Sequence, residues 1–561
     1  MPTLDIDRSD LNLLLGRSPG DEELHRLLEG RKAEMKGQEG PLLRVEVTDT
    51  NRPDLWCAEG LARACRPPRA YPCFEPGEAA LGIRAGASLR ELRPFVQAFR
   101  ARGPGLSAGA LAALIQTQEK LAENFGRSRK TVSIGVYRAG AIRFPVSYEA
   151  GAPGEPRMRA LGDTQIRTFT EILRAHPKGI EYGTILSPGK PVPVLKDASG
   201  TILSFPPIIN SDDLGQVRVG DGDLLVEATG ADLDAVLLVE NILAANLSDR
   251  GWIVEPLATE YPFDTPRGRR VRTPGGWGEG RCPPLEVPLG EFTRLLGETP
   301  SDEEAAGALR GAGHRVQTGK GTLLVTFPPW RGDAMHPVDA VEDFLLARGA
   351  GSFPPRPLET FTIGRAASAS RVEDRVRDHL LGLGLEEIFS NLLCDRVSLR
   401  DRMRRALPEP VTIANPMSER FACLRDSLLP GLLRMEGSSG DARYPHRLFE
   451  VGEIARPDAG APHGSRTLCS AAVLVAAERA PFTQMASLLA QILQWLDIPY
   501  RLQEAPDGTY WEGRHAQILL GGTRAGSIGE IHPEVMERWG IRMPCAAFEI
   551  DLGSPFGLSP A

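Results

Sequence analysis

Closely spaced cysteines are missing from this chain of 561 residues. Its eight cysteines, at positions 57, 65, 73, 282, 394, 423, 469 and 545, include no Cys-x-x-Cys pair. That scatter argues against a zinc ribbon and against a disulfide scaffold, and it fits a reducing cytoplasm. No apolar run reaches the roughly 18 residues of a membrane span. The start, MPTLDIDRSDL, is acidic and polar where a signal peptide is basic and then apolar. A cytoplasmic protein without a membrane segment is therefore expected. Both common phosphate loops are absent as well: no Gly-x-Gly-x-x-Gly follows a strand, and no Gly-x4-Gly-Lys-Ser/Thr occurs. Positive charge is not in excess, since 65 Lys and Arg face 73 Asp and Glu for a net charge of −8. A bulk basic nucleic-acid binder is thus excluded, though local basic patches are not.

What is present is ordinary globular material, 42% hydrophobic and 25% charged. The length suggests roughly three to five structural units. The densest chemistry lies in FPPWRGDAMHPVDAVEDFLLARGA, Phe327–Ala350. A short apolar strand runs through Pro328-Pro329 into Arg331-Gly-Asp333, and a helix follows His336-Pro337. On that helix Asp339, Glu342 and Asp343 stand at i, i+3 and i+4 and share one face. Asp333 can fold back over the same end. Two readings stand: acids favour a helix N-terminus by about 0.3–1 kcal/mol each, or the four carboxylates hold a hard cation such as Mg²⁺. Spacing does not decide between them.

The chain repeats itself. LDID through LLLGRSPGDEE (4–23) aligns without gaps on LEVP through RLLGETPSDEE (285–304), an offset of 281 (285 − 4). Further on, a strand, Arg52-Pro-Asp54 and a helix parallel a strand, Arg331-Gly-Asp333 and a helix. Two copies of one small α/β module flanking another domain are expected. Between them, a helix over 111–126 ends in Arg127-Ser-Arg129-Lys130, a basic patch that suits either the helix dipole or a phosphate. SFPPIINS (204–211) cannot be regular backbone and suits a pocket wall or a plain proline turn. ADLDAVLLVENILAANLSDRG reads as a long apolar helix. PFDTPRGRRVRTPGGWGEGRCPP (262–284) reads as a charged linker or exposed hairpin. Residues 356–561 alternate antiparallel strands with helices, an α+β pattern.

Eight of these segments, in register, resemble the β subunit of phenylalanyl-tRNA synthetase, of the archaeal and eukaryotic type. They are DTNRPDLWCAEGLAR (49–63), LIQTQEKLAENFGRSRKTVSIGVY (114–137), EILRAHPKGIEY (171–182), ILSFPPIINSDD (202–213), FPPWRGDAMHPVDAVEDFLLARG (327–349), IANPMSERFACLRDSLLPGLL (413–433), RLFEVGEI (447–454) and IGEIHPEVMERWGI (528–541).

The resemblance implies an α+β multidomain chain. Its parts would be an N-terminal α/β module (1–80), an editing-type domain (81–262), a linker (263–284), a second module with the acidic cluster (285–352), and a class II catalytic-like antiparallel-sheet domain without its own active site (356–561). It also implies a heterotetramer, (αβ)₂, in which an α subunit attaches phenylalanine to tRNA(Phe) with ATP. The β subunit would supply assembly, tRNA contacts and hydrolysis of mischarged Tyr-tRNA. Asp333, Asp339, Glu342 and Asp343 match the family's magnesium positions. Glu227 is expected to recognise the tyrosine hydroxyl, with Asn210 and Ser211 orienting the aminoacyl end. The α subunit is expected to pack near Leu428–Leu433. The stretch between Ser211 and Glu227 and the loops 262–284 and 455–465 depart from the family pattern. The alternative is a scaffold or RNA-binding paralogue without the synthetase role.

Overall fold

The repeat seen in the sequence is a repeat in space. In the computed structural model, residues 2–553 are described except 188, 356, 359 and 407. They fall into two compact units, divided between Pro357 and Leu358. The first unit opens with β1 (Thr3–Asp7), helices Arg8–Leu15 and Asp21–Glu29, β2 (Ala33–Glu39), β3 (Leu42–Val47) and helix Ala58–Cys65. Its three strands are ordered β1-β3-β2. Alternation along β1 and β3 turns Leu4, Ile6, Leu43, Val45 and Val47 into the core.

A ten-stranded sheet follows, built from β4 (Ala80–Ala85), β5 (Phe95–Arg102), β6 (Val132–Arg138), β7 (Val146–Gly151), β10 (Val192–Lys196), β11 (Ile202–Phe205), β12 (Ile209–Asn210), β13 (Asp223–Gly230), β14 (Ile253–Glu260) and β15 (Arg270–Thr273). A small hairpin, β8 (Arg157–Arg159) with β9 (Ile166–Thr168), stands apart from it. The order is β12-β11-β10-β7-β4-β14-β5-β13-β6, with β15 beside β14. Of the two readings of 262–284, linker or hairpin, Arg270–Thr273 follows the hairpin: it pairs antiparallel with Leu257–Glu260. The apolar helix Leu233–Asp249 is capped by Asp232 and buried over nearly its whole length. It packs on β5 and β13, so one face alone could not have carried its hydrophobic residues.

The second module comprises β16 (Leu285–Pro288), helices Leu289–Leu296 and Asp302–Gly311, β17 (Arg315–Thr318), β18 (Thr322–Thr326) and helix Pro337–Arg348. Its order, β16-β18-β17, is that of the first module. In both copies the first helix stops on a glycine in the left-handed region, Gly16 (φ 74°) and Gly297 (φ 72°), where a side chain would be strained.

The second unit is an α+β fold around a seven-stranded sheet. Its strands are β19 (Glu386–Glu387), β22 (His446–Pro457), β23 (Ser465–Ala476), β24 (Tyr500–Gln503), β25 (Tyr510–Leu520), β26 (Thr523–Ile531) and β27 (Cys545–Asp551), in the order β19-β22-β23-β27-β26-β25-β24. All neighbours are antiparallel except β19 and β22. A ribbon of β20 (Leu393–Cys394) and β21 (Cys423–Leu424) stands apart. Helices Ser368–Gly382 and Phe482–Trp495 share a core with one face of the sheet, and Leu429–Ser438 and Pro533–Trp539 with the other.

That second core corrects the expected partner contact. Leu428, Leu429, Leu432 and Leu433 are fully buried within the unit and present nothing to another chain. Exposed apolar side chains of this unit include instead Phe389 (90% exposed), Met417, Phe421 and Met435. Among the described residues no helix is long and apolar enough to cross a membrane.

Candidate functional site

A cavity of about 550 Å³ opens beside the end of the ten-stranded sheet. Its walls come from helix Ala108–Lys120, β6, the SFPPIIN turn after β11, and the start of helix Pro177–Tyr182. The turn cannot close a regular ladder, so it bulges and forms the wall that its two prolines suggested. Asn210 and Glu227 both line the cavity. Ser211 does not; it is buried behind the wall, where its backbone N–H donates to the Leu203 carbonyl at 2.8 Å.

Glu227 sits in the middle of β13, opposite Ala98 on β5 and Gly135 on β6. Gly135 has no side chain to fill the space above the carboxylate. A Cβ there would collide with both the Tyr137 hydroxyl and Glu227 Oε2. Two residues on along the same face, the Tyr137 hydroxyl donates to Glu227 Oε2 at 2.7 Å and lies 3.2 Å from Asn210 Oδ1. Among the described residues no hydrogen bond reaches Glu227 Oε1, which leaves that oxygen to the cavity Glu227 lines. Burial pushes the Glu227 carboxyl up to about 7, while the Tyr137 hydroxyl and the Arg93 guanidinium pull the other way. An acid with this pKa can be charged or neutral at physiological pH, a property that buried functional carboxyls share.

The basic tail of the preceding helix also reaches the cavity. Arg127, Ser128 and Arg129 are three consecutive non-glycine residues with positive φ (51°, 52° and 64°). This turn brings Arg129 onto the wall, where Nη1 donates to the Ile208 carbonyl at 2.9 Å and the guanidinium lies 4.2 Å from the Tyr182 ring centroid. Sequence reasoning missed Tyr137, Gly135 and this role of Arg129. The period of two along VSIGVY does place Ser133, Gly135 and Tyr137 on one face.

The four acids of the second module are not gathered on one point. Arg331 forks onto Asp333 with two bonds of 2.7 Å, and its Nη1 donates to Asp343 Oδ2 at 2.9 Å. His314 Nε2 lies 2.9 Å from the same Asp343 oxygen. Asp339 accepts from the backbone N–H groups of Met335 (2.7 Å) and His336 (2.8 Å), closing a capping box. Glu342 accepts from Lys32 of the first module at 2.5 Å. Burial opposes ionisation of Asp343, yet Arg331 and His314 outweigh it and hold the carboxyl well below the ordinary range. Asp333 is likewise lowered, with Arg331 and Arg52 overcoming its burial. Mg²⁺ needs oxygens directed at a common centre. Among the described residues no three His, Cys, Asp or Glu side chains form such a group. As arranged here, the quartet does not fit the ion.

Comparison with known proteins adds independent evidence. A family model described as the tRNA synthetase B5 domain matches residues 285–349. One described as the phenylalanyl tRNA synthetase beta chain CLM domain matches residues 355–552. The phenylalanine–tRNA ligase beta subunit of Treponema pallidum is 40% identical over 526 residues, 91% of this chain and 86% of the relative. That of Borrelia hermsii is 33% identical over 98% of this chain and 99% of its own. The crystal structure of an N-terminal fragment of the phenylalanyl-tRNA synthetase beta subunit from Pyrococcus horikoshii superposes with a TM-score of 0.57 at 32% identity, covering 62% of this chain and 99% of the fragment.

These relatives correct the expected archaeal and eukaryotic type, because the full-length likeness is to bacterial chains. The archaeal fragment is no more alike in sequence than the Borrelia chain, so the segments that suggested that type are not particular to it. On the identity and coverage of these relatives, the chain belongs to the phenylalanine–tRNA ligase beta-subunit family.

Proposed function

We propose that this chain is the β subunit of a cytoplasmic (αβ)₂ phenylalanine–tRNA ligase and that its 550 Å³ cavity hydrolyses tyrosine wrongly attached to tRNA(Phe). Synthesis resides in the α subunit. An apolar pocket built for phenylalanine rejects an added hydroxyl only about a hundredfold, so a second site that binds the hydroxyl adds the missing discrimination. The observation that carries the reading is Glu227: buried, on a central strand, one oxygen held by Tyr137 and the other without a partner among the described residues. In the ionised form Oε1 accepts the tyrosine phenol, which phenylalanine lacks. Asn210, fixed beside Tyr137, orients the aminoacyl end, and Ser211 anchors the wall behind it. Water then adds at the ester carbonyl and the bond to the tRNA oxygen breaks.

The exposed Phe389, Met417, Phe421 and Met435 supply an apolar surface on the second unit for the α subunit. Eight free thiols suit a reducing cytoplasm. The test is deacylation of Tyr-tRNA(Phe) by the αβ complex carrying Glu227→Gln. Loss of one hydrogen bond to a charged group, about 1.5–3 kcal/mol, corresponds to roughly 10–150-fold slower hydrolysis. Phenylalanine charging should be retained. Unchanged deacylation removes the role from Glu227, and a chain that copurifies with no α subunit is a scaffold instead.

A further inference from the structure

The first unit holds a second cavity, of about 260 Å³, where its two copies of the module meet. Seven arginines line it against two acids, Asp54 and Glu75. The duplication explains part of this. The Arg-x-Asp of each copy contributes: Arg52 forks onto Asp54 with two 2.8 Å bonds, Arg331 onto Asp333, and Arg52 Nε lies 3.8 Å from Asp333. This wall is more than neutralised, because its two guanidiniums face three carboxylates, Asp54, Asp333 and Asp343.

The other wall is not. Arg63 and Arg66 share one carboxylate, Asp249, which lies 2.6 Å from Arg63 Nη1. Arg69 is exposed at the rim, with no hydrogen bond or ion pair among the described residues. Arg52 commits Nε and Nη2 to Asp54, and among the described residues Nη1 has no acceptor. Arg63 also donates to Asn246 and Arg66 to the Leu14 carbonyl, so both are fixed in place, and two such guanidiniums on one carboxylate leave a net positive charge suited to a phosphate.

Aromatic carbon lies beside that charge. Trp277, Trp330 and Tyr71 line the same cavity; Arg315 lies 4.1 Å from the Trp277 ring centroid and Arg63 4.9 Å from that of Trp330. His314 also lines it, with its side chain fully buried and Nδ1 without a hydrogen-bond partner among the described residues. A buried polar atom in that state calls for a partner that the protein does not supply.

We propose that this cavity binds one nucleotide, with the phosphate on the wall of Arg63, Arg66 and Arg69 and the base among Trp277, Trp330 and Tyr71. The volume, below the roughly 300–1,000 Å³ of drug-sized pockets, limits the occupant to about a single nucleotide. That nucleotide is either free or one unit of an RNA strand.

Calorimetric titration of the full chain with AMP, with a single-stranded tetraribonucleotide and with inorganic phosphate tests this. Saturable binding of AMP is expected, with affinity falling at least about tenfold in Arg69→Ala and in Trp277→Leu. Arg69 is exposed and unpartnered among the described residues, so its removal leaves the fold intact. Tighter binding of the tetranucleotide than of AMP assigns the site to RNA, and the reverse assigns it to a free nucleotide. No saturation by either, affinity unchanged in both variants, or inorganic phosphate binding as tightly as AMP overturns the proposal.

Discussion

Replacing Glu227 by Gln should change how stability depends on pH, and the size of the change follows from the site. Burial raises the carboxyl from 4.5 to about 7 in the folded protein. The folded state therefore binds the proton more tightly than the unfolded chain does. The resulting stability is fully present below 4.5 and is lost as pH rises through 7. At about 1.4 kcal/mol per pH unit the whole effect is about 3 kcal/mol, of which about 2.5 kcal/mol falls between pH 5 and pH 8. Gln keeps the shape and does not titrate. Wild type should therefore lose about 2.5 kcal/mol relative to Glu227→Gln across that interval. Urea denaturation at several pH values, with hydrogen exchange of the β13 amides to isolate the first unit, measures this directly. Parallel pH profiles for the two proteins would refute the reasoning. They would mean that the carboxyl titrates normally and is not held in a dry site.

Three further outcomes are expected. Gly135→Ala places a methyl against Tyr137 and Glu227, so deacylation of Tyr-tRNA(Phe) should fall about tenfold or more while far-ultraviolet circular dichroism and phenylalanine charging are unchanged. Arg331→Met leaves Asp333 and Asp343 buried without their main cation and should cost about 3–5 kcal/mol at neutral pH. Because both carboxyls are lowered in the fold, that cost should shrink as pH falls through the acid range; elemental analysis and an EDTA melt on the same protein check the magnesium expectation, with no bound ion and no shift in melting temperature if the ion pairs are all that is there. Phe389→Asp, at a side chain 90% exposed, should weaken association with the α subunit at unchanged stability of the isolated chain, as measured by copurification and thermal melts.

Much of the fold was legible. The offset alignment of the two modules, the antiparallel pattern after residue 356 and the buried helix after Asp232 all follow from local hydrophobic period and capping, which neighbours in sequence determine. Where the local signal was weak the reading stayed open: 262–284 reads equally as charged linker or exposed hairpin, and only the pairing of Arg270–Thr273 with the preceding β14 across a charged turn selects the hairpin. The Leu428–Leu433 run reads as an interface by hydrophobicity alone, but a buried core and an interface have the same composition.

The candidate site divides in the same way. The sequence by itself determined that Glu227 is on a strand, that a proline-bound turn ends at Asn210, and that Asp339, Glu342 and Asp343 share a helix face. Each is a matter of spacing within one element. Only the tertiary structure decided what those groups face. Glu227 became a carboxyl of pKa near 7 because Tyr137, Gly135 and burial surround it. Asp333 and Asp343 became ion-pair partners because Arg331 lies between them, and Glu342 because Lys32, far away in the chain, folds against it. Electrostatic environment is set by distance in space, and no local pattern encodes which distant cation arrives.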